Sequence, residues 1–437
     1  MQSQVTACFA QAVFRPLPGT NKEAIQEPLT GAKMDLTART KIQSAAHSFF
    51  HTHRQNTMAA DAISFDVVDD IERFRALQRE WDDLWRLADG QFFQSFAFCH
   101  ASLIAEEKGS RRKLHCVTGR QNGRLVFVWP LVTYWNSVWK YAAPLAPRNR
   151  SPSDILVAPE CGSEPLVKSA WDAALKSTGA DIVELWRVRS SSLLCRCATT
   201  YAATRRTQIE PTYYASLRGL EDWEAFCRSR PGRSKHPDYL KRKLAKHIDF
   251  NLEVLDRNDA RTSSVVNWLV SHKREWAHVK DIDSQWVFSE SSDKFWGDLM
   301  LNRTYEAGVM RVFVLWHQQR PIAALIVAVG AKRVDFLTVT YDMELAKLSP
   351  GTVLLDEGVK WAFEHGLDVD FTPGSEPYKV SWSGRASYTT SSFLVLPTTW
   401  GLMGYRAKMA AKKLQGMMGR AVSLLSARHA EVDRTGE

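Results

Sequence analysis

The sequence predicts an α/β protein of two tandem units, each a mixed, mostly antiparallel sheet flanked by helices. From residue 63 onward, apolar runs with strand alternation are interspersed with segments at helical spacing. The order of elements in the first half recurs in the second at an offset of about 190 residues, far beyond the period of a solenoid repeat. The length of 437 residues also allows two or three domains. Because the halves share no residue-level identity, the predicted duplication depends on element order alone.

The first unit begins with an alternating strand and an amphipathic helix whose apolar residues recur every three or four positions. A Gln121-Asn122-Gly123 turn separates two of the following strands. The predicted elements are a strand at Ile63–Val68, helices at Ile71–Trp85 and Ser95–Glu107, strands at Lys113–Thr118, Arg124–Val132 and Val138–Ala142, a helix at Pro165–Lys176, a strand at Asp181–Arg187, a helix at Ser191–Thr200 and a strand at Thr207–Leu217.

The second unit follows two short predicted helices within Leu220–His247. It has nearly the same order, with three consecutive apolar strands before a helix that opens on a Pro-Gly turn. The predicted elements are a strand at Asp249–Val254, helices at Thr262–Trp276 and Ser292–Glu306, strands at Met310–His317, Pro321–Val329 and Arg333–Tyr341, a helix at Thr352–His365, and strands at Leu367–Phe371 and Ser387–Leu396.

These patterns divide the chain into four segments. Residues 1–57 are polar and aperiodic, which predicts a disordered leader. The two units then occupy residues 58–218 and 219–398. Residues 399–437 are predicted to form a basic helix and tail, because Trp400–Ala430 carries six Lys or Arg and no acidic residue.

Composition excludes several classes of protein. With 45% hydrophobic and 24% charged residues, the chain reads as globular rather than fibrous or wholly disordered. The longest apolar stretch, Pro321–Gly330, is too short to cross a membrane.

The seven cysteines are scattered along the chain, and its start does not resemble a secretory signal, so we expect reduced thiols and a cytoplasmic location. The sixteen Trp are expected to fill the core. We expect no metal, because no His or Cys spacing fits a metal site.

Familiar catalytic motifs are also absent from the sequence. There is no G-x-S-x-G elbow, no G-x-x-x-x-G-K-[ST] loop, no H-E-x-x-H and no G-x-G-x-x-G after a strand. Hydrolases of that type, P-loop NTPases, zinc proteases and NAD enzymes are therefore disfavoured.

One junction has the features of an anion site. The turn Ser349-Pro350-Gly351-Thr352 joins an apolar strand to an amphipathic helix. Free N–H groups of a first helical turn attract phosphate, and Gly351 permits a close approach of backbone. The alternative is an ordinary, well-capped helix start.

A second polar segment follows the next strand. Asp370 lies at the strand end, and a Pro-Gly turn then brings Glu376, Tyr378 and Lys379 within nine residues of it. If this strand is a parallel neighbour of the one before Ser349, both segments meet at one sheet edge, where open α/β sheets bind ligands.

The motif Tyr341-Asp342…Ser349-Pro350-Gly351-Thr352…Asp370-Phe371…Gly374…Tyr378-Lys379 resembles the C-terminal motif of GNAT-fold acyltransferases of the CelD (cellulose biosynthesis) type. These are similar in turn to Fem-type peptidyltransferases, which carry two tandem GNAT-like units. The resemblance covers about forty residues as a motif and Ile63–Leu396 as an architecture. It implies an acyl-CoA-dependent transferase with two GNAT-like units.

The resemblance also implies roles for individual residues. Tyr378 would be the general acid for the departing thiolate, and Glu376 or Asp370 the base for the nucleophile. The remaining assignments are Val339 and Thr340 on the strand that contacts pantetheine, Lys347, Ser349, Gly351 and Thr352 at the pyrophosphate, and Lys379, Gly374 and Arg233 at the substrate. The loop departs from the usual [QR]-x-x-G-x-[GA], since residues 346–351 read Ala-Lys-Leu-Ser-Pro-Gly and keep only the last glycine.

Three functional hypotheses remain open. The first is an N- or O-acyltransferase using acyl-CoA and a small-molecule or glycan-type acceptor, such as a polysaccharide or cell-envelope precursor. The second is a Fem-type transferase using aminoacyl-tRNA. The third is a catalytically silent scaffold in an exopolysaccharide-synthesis complex.

The charge pattern bears on these hypotheses. The segment Arg228–His247 holds eight Lys or Arg against one Asp, within a net charge of +9. It is either a solvated helix face or a guide for an anionic substrate, and DNA is not expected because no base-reading helix follows. The basic C-terminal helix either lies on an anionic membrane surface or docks on protein.

Overall fold

A computed structural model of the chain describes residues 63–106, 111–230, 236–282, 284–306 and 309–411. The predicted leader at 1–57 and the tail beyond residue 411 lie outside the described residues. The first half comprises β1 (Ser64–Val68), α1 (Ile71–Ala76), α2 (Gln78–Leu87), α3 (Phe96–Ile104), β2 (Lys113–Gln121), β3 (Arg124–Asn136), β4 (Trp139–Pro144), β5 (Leu156–Val157), α4 (Glu164–Thr178), β6 (Ile182–Arg189), α5 (Leu193–Thr200) and β7 (Thr204–Ala215).

The second half repeats this order after two connecting helices. Its elements are α6 (Trp223–Ser229), α7 (Asp238–Ala245), β8 (Asn251–Leu255), α8 (Thr262–Val279), α9 (Gln285–Phe288), α10 (Glu290–Leu301), β9 (Met310–His317), β10 (Arg320–Val329), β11 (Arg333–Tyr341), α11 (Pro350–Glu364), β12 (Asp368–Pro373), α12 (Pro377–Trp382) and β13 (Ser387–Val395). A last helix, α13, is described over 399–411.

All of these strands belong to one mixed sheet, which confirms the predicted fold class. The order is β1-β2-β3-β4-β6-β13-β7-β12-β11-β10-β9-β8, and the short β5 pairs with β3. Each half contains one parallel pair, β4 with β6 and β11 with β12, among antiparallel neighbours. The parallel pair follows from the helix that connects its two strands, α4 in the first half and α11 in the second.

The two halves exchange their last strands. β13, from the end of the second half, lies between β6 and β7, and β7 from the first half pairs with β12. The sheet therefore runs without interruption through the predicted boundary at residues 218/219, and that boundary remains a prediction.

Three large apolar clusters cover the sheet. One lies between the halves, where α3 packs directly against α10 and buries residues such as Phe96 and Phe295. A second lies under α11 and α12, and a third under α4 and α5. Trp81, Trp171 and Trp382 are among the most deeply buried side chains, as expected for indoles in a core.

Two local differences from the sequence prediction bear on the site. The segment Pro377–Trp382, for which no element was predicted, is the short helix α12, which begins on a proline and buries Trp382. The segment Met343–Leu348 winds into 3₁₀ turns before α11. Both stretches are too short for periodicity to reveal, and tertiary packing decides their conformation.

Candidate active site

The strands β11 and β12 separate after a short parallel contact. Their pairing covers Arg333 with Asp368, Val334 with Val369 and Asp335 with Asp370. Immediately beyond it, β11 bulges, because Phe336 pairs with Val327 and Thr338 with Ile326, which skips Leu337. Among the described strands, none pairs with the β12-facing edge of Thr338–Tyr341, so this edge can pair with an extended ligand.

A cavity of about 550 Å³ opens at this separation. It is bounded by β11, by the start of α11, by α12 and the turn before it, by helices α8 to α10, and by Asn149 from the first half. The structure brings together these predicted site residues around it: Val339, Thr340, Gly351, Thr352, Glu376, Tyr378 and Lys379.

The start of α11 is open to an anion. Pro350 occupies the first helical position, Ser349 has a left-handed backbone (φ 59°) and makes no side-chain capping bond, and the first turn holds no acidic residue. Gly351 packs against Tyr341, where a Cβ would lie 2.7 Å from the ring. Lys347 is exposed on the preceding 3₁₀ turns, and its carbonyl accepts a hydrogen bond from Lys243 Nζ (2.8 Å). The N–H groups of Thr352 and Val353 donate to the Ser349 carbonyl (3.0 and 3.1 Å), so the Gly351 N–H and the helix dipole remain available here.

The equivalent helix of the first half differs. At the start of α4, the Ser163 hydroxyl accepts a hydrogen bond from Leu166 N (3.4 Å), and Glu164 places a negative charge in the first turn. A carboxylate at that position repels phosphate. The local chemistry thus favours an anion at α11 and disfavours one at α4.

The turn that ends β12 is strained and held from several sides. Thr372 is β-branched and adopts φ 59°, a conformation such residues rarely take. Its N–H donates to Asp370 Oδ1 (2.8 Å), and its hydroxyl lies 3.3 Å from the Phe336 carbonyl oxygen on β11. This hydroxyl bridges the two strands at the point where they separate.

Lys379 holds the same turn from the opposite side. Its Nζ donates to the carbonyls of Thr372 (3.3 Å) and Pro373 (2.9 Å) and lies 3.0 Å from Glu376 Oε2. An ammonium has three donors, so the turn uses all of them. The side chain is buried, and burial lowers its pKa. The predicted substrate contact by Lys379 is therefore corrected, since this residue clamps the turn.

Asp370 is not brought to the cavity. It lies on the sheet face opposite Phe371, buried, and accepts a hydrogen bond from the Tyr388 hydroxyl (2.8 Å). Its neighbour across the strand pair is Asp335, and burial raises the pKa of both carboxyl groups, that of Asp335 to about 7. Asp370 orients Thr372, and we assign it no proton transfer.

Tyr378 and Glu376 do face the cavity. Tyr378 packs edge-on against Phe371, and burial raises the pKa of its phenol well above the ordinary value. The hydroxyl is therefore protonated at neutral pH and can donate a proton. Gly374 (φ 134°) supports this arrangement, because a Cβ there would collide with Glu376 and lie 2.8 Å from Lys379 Nζ.

Lys273 is a cavity residue that the sequence interpretation missed. Its Nζ donates to the Val339 carbonyl on the open edge of β11 (3.0 Å) and lies 4.3 Å from the centre of the Trp276 ring. Burial lowers the pKa of this ammonium to about 8, against the opposing effect of Glu376. A lysine four residues beyond the buried Leu269 stands on the apolar face of α8, and that placement was the available signal.

Much of the basic segment 228–247 is engaged within the protein. Lys241 pairs with Glu357 (2.9 Å), Lys243 binds the Lys347 carbonyl, and the Arg230 guanidinium stacks 3.6 Å over the Trp382 ring. Arg233, a predicted substrate contact, lies outside the described residues.

The described ranges contain neither a membrane-spanning helix nor a metal-binding cluster. No helix there is both long and apolar enough to span a bilayer. Within the same ranges, no cluster of three His, Cys, Asp or Glu side chains is arranged to hold a metal ion.

Comparisons with known proteins agree with this geometry. Residues 235–380 match the family described as "Acetyltransferase (GNAT) domain". A comparison with curated proteins gave no match.

Solved structures resemble the chain at low sequence identity. A structure described as "Crystal structure of FemX" aligns over 76% of this chain and 97% of its own, at 10% identity and a TM-score of 0.50. L-PGS from Bacillus licheniformis aligns over 77% and 95%, at 9% identity and a TM-score of 0.46. A "Tandem GNAT protein from the clavulanic acid biosynthesis pathway" aligns over 76% and 98%, at 11% identity and 0.41. The likeness to FemX concerns the fold alone.

The matched segment contains the bulged strand, the open helix start and the clamped turn described above. Residues 235–380, in the second half of the chain, thus match a GNAT acetyltransferase domain, and this match supports an acyltransferase.

Proposed function

We propose that the protein transfers an acyl group from acyl-CoA to an amine or hydroxyl bound in the cavity of its second half. A single observation carries the proposal: one cavity is lined at once by the open edge of β11, the uncapped start of α11 and the Tyr378 side chain. The cavity therefore combines a strand edge that can pair with an extended ligand, a site for an anion and a proton donor.

The donor-binding residues follow from this arrangement. The Val339 N–H and the backbone groups of Tyr341, which no neighbouring described strand pairs, would bind the two amides of pantetheine as an added strand. The N–H of Gly351 and the hydroxyls of Ser349 and Thr352 would bind the pyrophosphate at the start of α11. Lys347 is exposed beside this site and supplies a further cation.

The chemistry is assigned to two side chains. Glu376 takes a proton from the attacking nitrogen or oxygen, and Tyr378 gives its proton to the departing sulfur. The C–N or C–O bond forms as the C–S bond breaks, and both residues then regain their protonation states from solvent. Positioning by the clamped turn supplies the rest of the rate enhancement, because Lys379 and Asp370 fix the loop that carries Glu376.

Binding of acyl-CoA can be tested by a charge placed at the start of α11. We expect acetyl-CoA or octanoyl-CoA to raise the melting temperature, and Thr352→Asp to remove most of that rise. An acidic residue in a first helical turn favours the helix, so the free variant should remain folded. Ser263→Asp is the matched control, since Ser263 is exposed in the first turn of α8, which also lacks an acidic residue. Equal ligand-induced shifts in the two variants would overturn the proposed phosphate site.

The other hypotheses have less support. Transfer from aminoacyl-tRNA was suggested by the basic segment, yet Lys241, Lys243 and Arg230 are engaged with the protein itself. A silent scaffold would not bind acyl-CoA, so a rise in melting temperature on adding acyl-CoA would exclude it. No contact in the cavity singles out a polysaccharide or cell-envelope precursor, so the proposal is confined to acyl transfer.

A further inference from the structure

The acceptor side of the cavity carries two charged groups of opposite sign. One is Lys273, whose only hydrogen-bond acceptor among the described residues is the neutral Val339 carbonyl oxygen, beside the face of the Trp276 ring. An ammonium has three donors, so two of them remain for a ligand. The other is Glu376, whose side chain is 55% exposed and uses Oε2 for Lys379.

These two charges lie close enough to interact. The Glu376 carboxylate favours the charged form of Lys273, against the burial that disfavours it. Lys379, the other cation in the cavity wall, is fully engaged by the turn and offers nothing to a ligand. The cavity thus presents one available ammonium beside one available carboxylate.

An apolar wall stands next to this pair. Three indoles, Trp276, Trp286 and Trp296, line the cavity from α8, α9 and α10. The rings of Trp286 and Trp296 pack edge-on against Phe295 at 5.7 and 5.0 Å, which fixes their orientation. Fixed aromatic surfaces bind an apolar group at low entropic cost.

We infer that the acceptor is an α-amino acid with an apolar side chain, acylated on its amino group. This inference rests on the proposed function. The amino group lies at Glu376, the carboxylate lies at Lys273, and the side chain packs against the indoles. An α-amino acid carries its ammonium and its carboxylate on the same carbon. These two charges are opposite to those of Glu376 and Lys273, so they complement the protein.

The reaction balances with these groups. The bound ammonium first loses one proton to solvent through Glu376. The neutral amino nitrogen then attacks the thioester carbon, and a C–N bond forms as the C–S bond breaks. Glu376 accepts the proton that leaves nitrogen, and Tyr378 donates the proton that sulfur gains. The products are an N-acyl amino acid and free CoA thiol, and solvent returns both residues to their starting states.

Matched acceptor pairs test the role of Lys273. We would follow CoA thiol release from acetyl-CoA and octanoyl-CoA with L-phenylalanine against phenethylamine and L-leucine against 3-methylbutylamine, with glucosamine as a sugar amine. We expect kcat/KM to be about ten- to a hundredfold higher for the amino acid in each pair, the range of a charged hydrogen bond. Lys273→Met should erase this difference, and Lys273→Arg should retain part of it.

Lys280→Met is the matched control for Lys273→Met. Lys280→Met removes an exposed lysine just beyond α8 and should keep the preference. A preference for glucosamine or the plain amines, or an equal loss on both members of a pair in Lys273→Met, would overturn the inference alone. Failure of both acyl-CoA thioesters to stabilise the protein would overturn the proposed function and this inference with it.

Discussion

The buried carboxyl pair on the far face of the sheet gives a stability prediction that can be worked out from the structure. Asp335 and Asp370 are register partners on adjacent parallel strands, and both are buried. Burial raises the pKa of Asp335 from 3.8 to about 7, and the nearby Asp370 carboxylate adds to the effect. At pH values between 3.8 and about 7, the folded protein therefore binds more protons than the unfolded chain.

The sign of the pH dependence follows. A carboxyl group whose pKa is raised on folding stabilises the folded state at pH values below its pKa in the unfolded chain. This contribution is lost as the pH rises through its pKa in the folded protein. Replacing Asp335 by Asn removes the cost of ionising the buried group. At 1.36 kcal/mol per pH unit, the change from 3.8 to about 7 corresponds to about 4 kcal/mol at most, reached above pH 7.

Urea unfolding of Asp335→Asn and the parent at pH 4, 6 and 8 measures this directly. We expect the free energies of unfolding to be similar at pH 4 and the variant to be more stable at pH 8. Asp69→Asn, at an exposed position, controls for the general effect of removing a carboxylate. A variant that is less stable at pH 8, or a difference that does not change with pH, would refute the reasoning.

Three further outcomes are expected. Tyr378→Phe should lower kcat for CoA thiol release about a hundredfold while leaving acyl-CoA binding by thermal shift intact, and an unchanged kcat would remove its role as acid. Lys379→Met should lower the melting temperature and kcat together, because three acceptors on a strained turn lose their donor; an effect on acceptor KM alone would contradict the clamp. Residues 63–218 expressed alone should fail to unfold cooperatively, since β6 loses β13 and β7 loses β12, and a cooperative transition would show that half to be independent.

Periodicity predicted nearly every helix and strand of the described chain, because alternation and helical spacing are local properties. It also indicated the second-half site, since a Pro-Gly helix start and a polar strand end have recognisable chemistry. Gly351, Thr352, Glu376 and Tyr378 accordingly meet in one cavity.

Other assignments depended on facts that no local pattern contains. Asp370 lies next to Phe371 on β12, yet alternation turns its side chain to the opposite face of the sheet, where the Tyr388 hydroxyl donates to it. Lys379 stands beside Tyr378 in sequence, but its length and burial direct the ammonium back to the turn. Lys273 is about a hundred residues from Glu376 in the chain, so its presence in the cavity follows only from packing of α8 on the sheet.

The sequence by itself determined the α/β class and the duplicated order of elements, and it indicated the segments at which we propose that an acyl group is transferred, because propensity, periodicity and turn chemistry act over short distances. Only the tertiary structure decided that the halves exchange their last strands, that β11 and β12 separate at a bulge, and which charges face the cavity. Those features depend on which surfaces of distant segments pack together, and burial then decides whether a charged side chain binds a ligand or holds its own backbone.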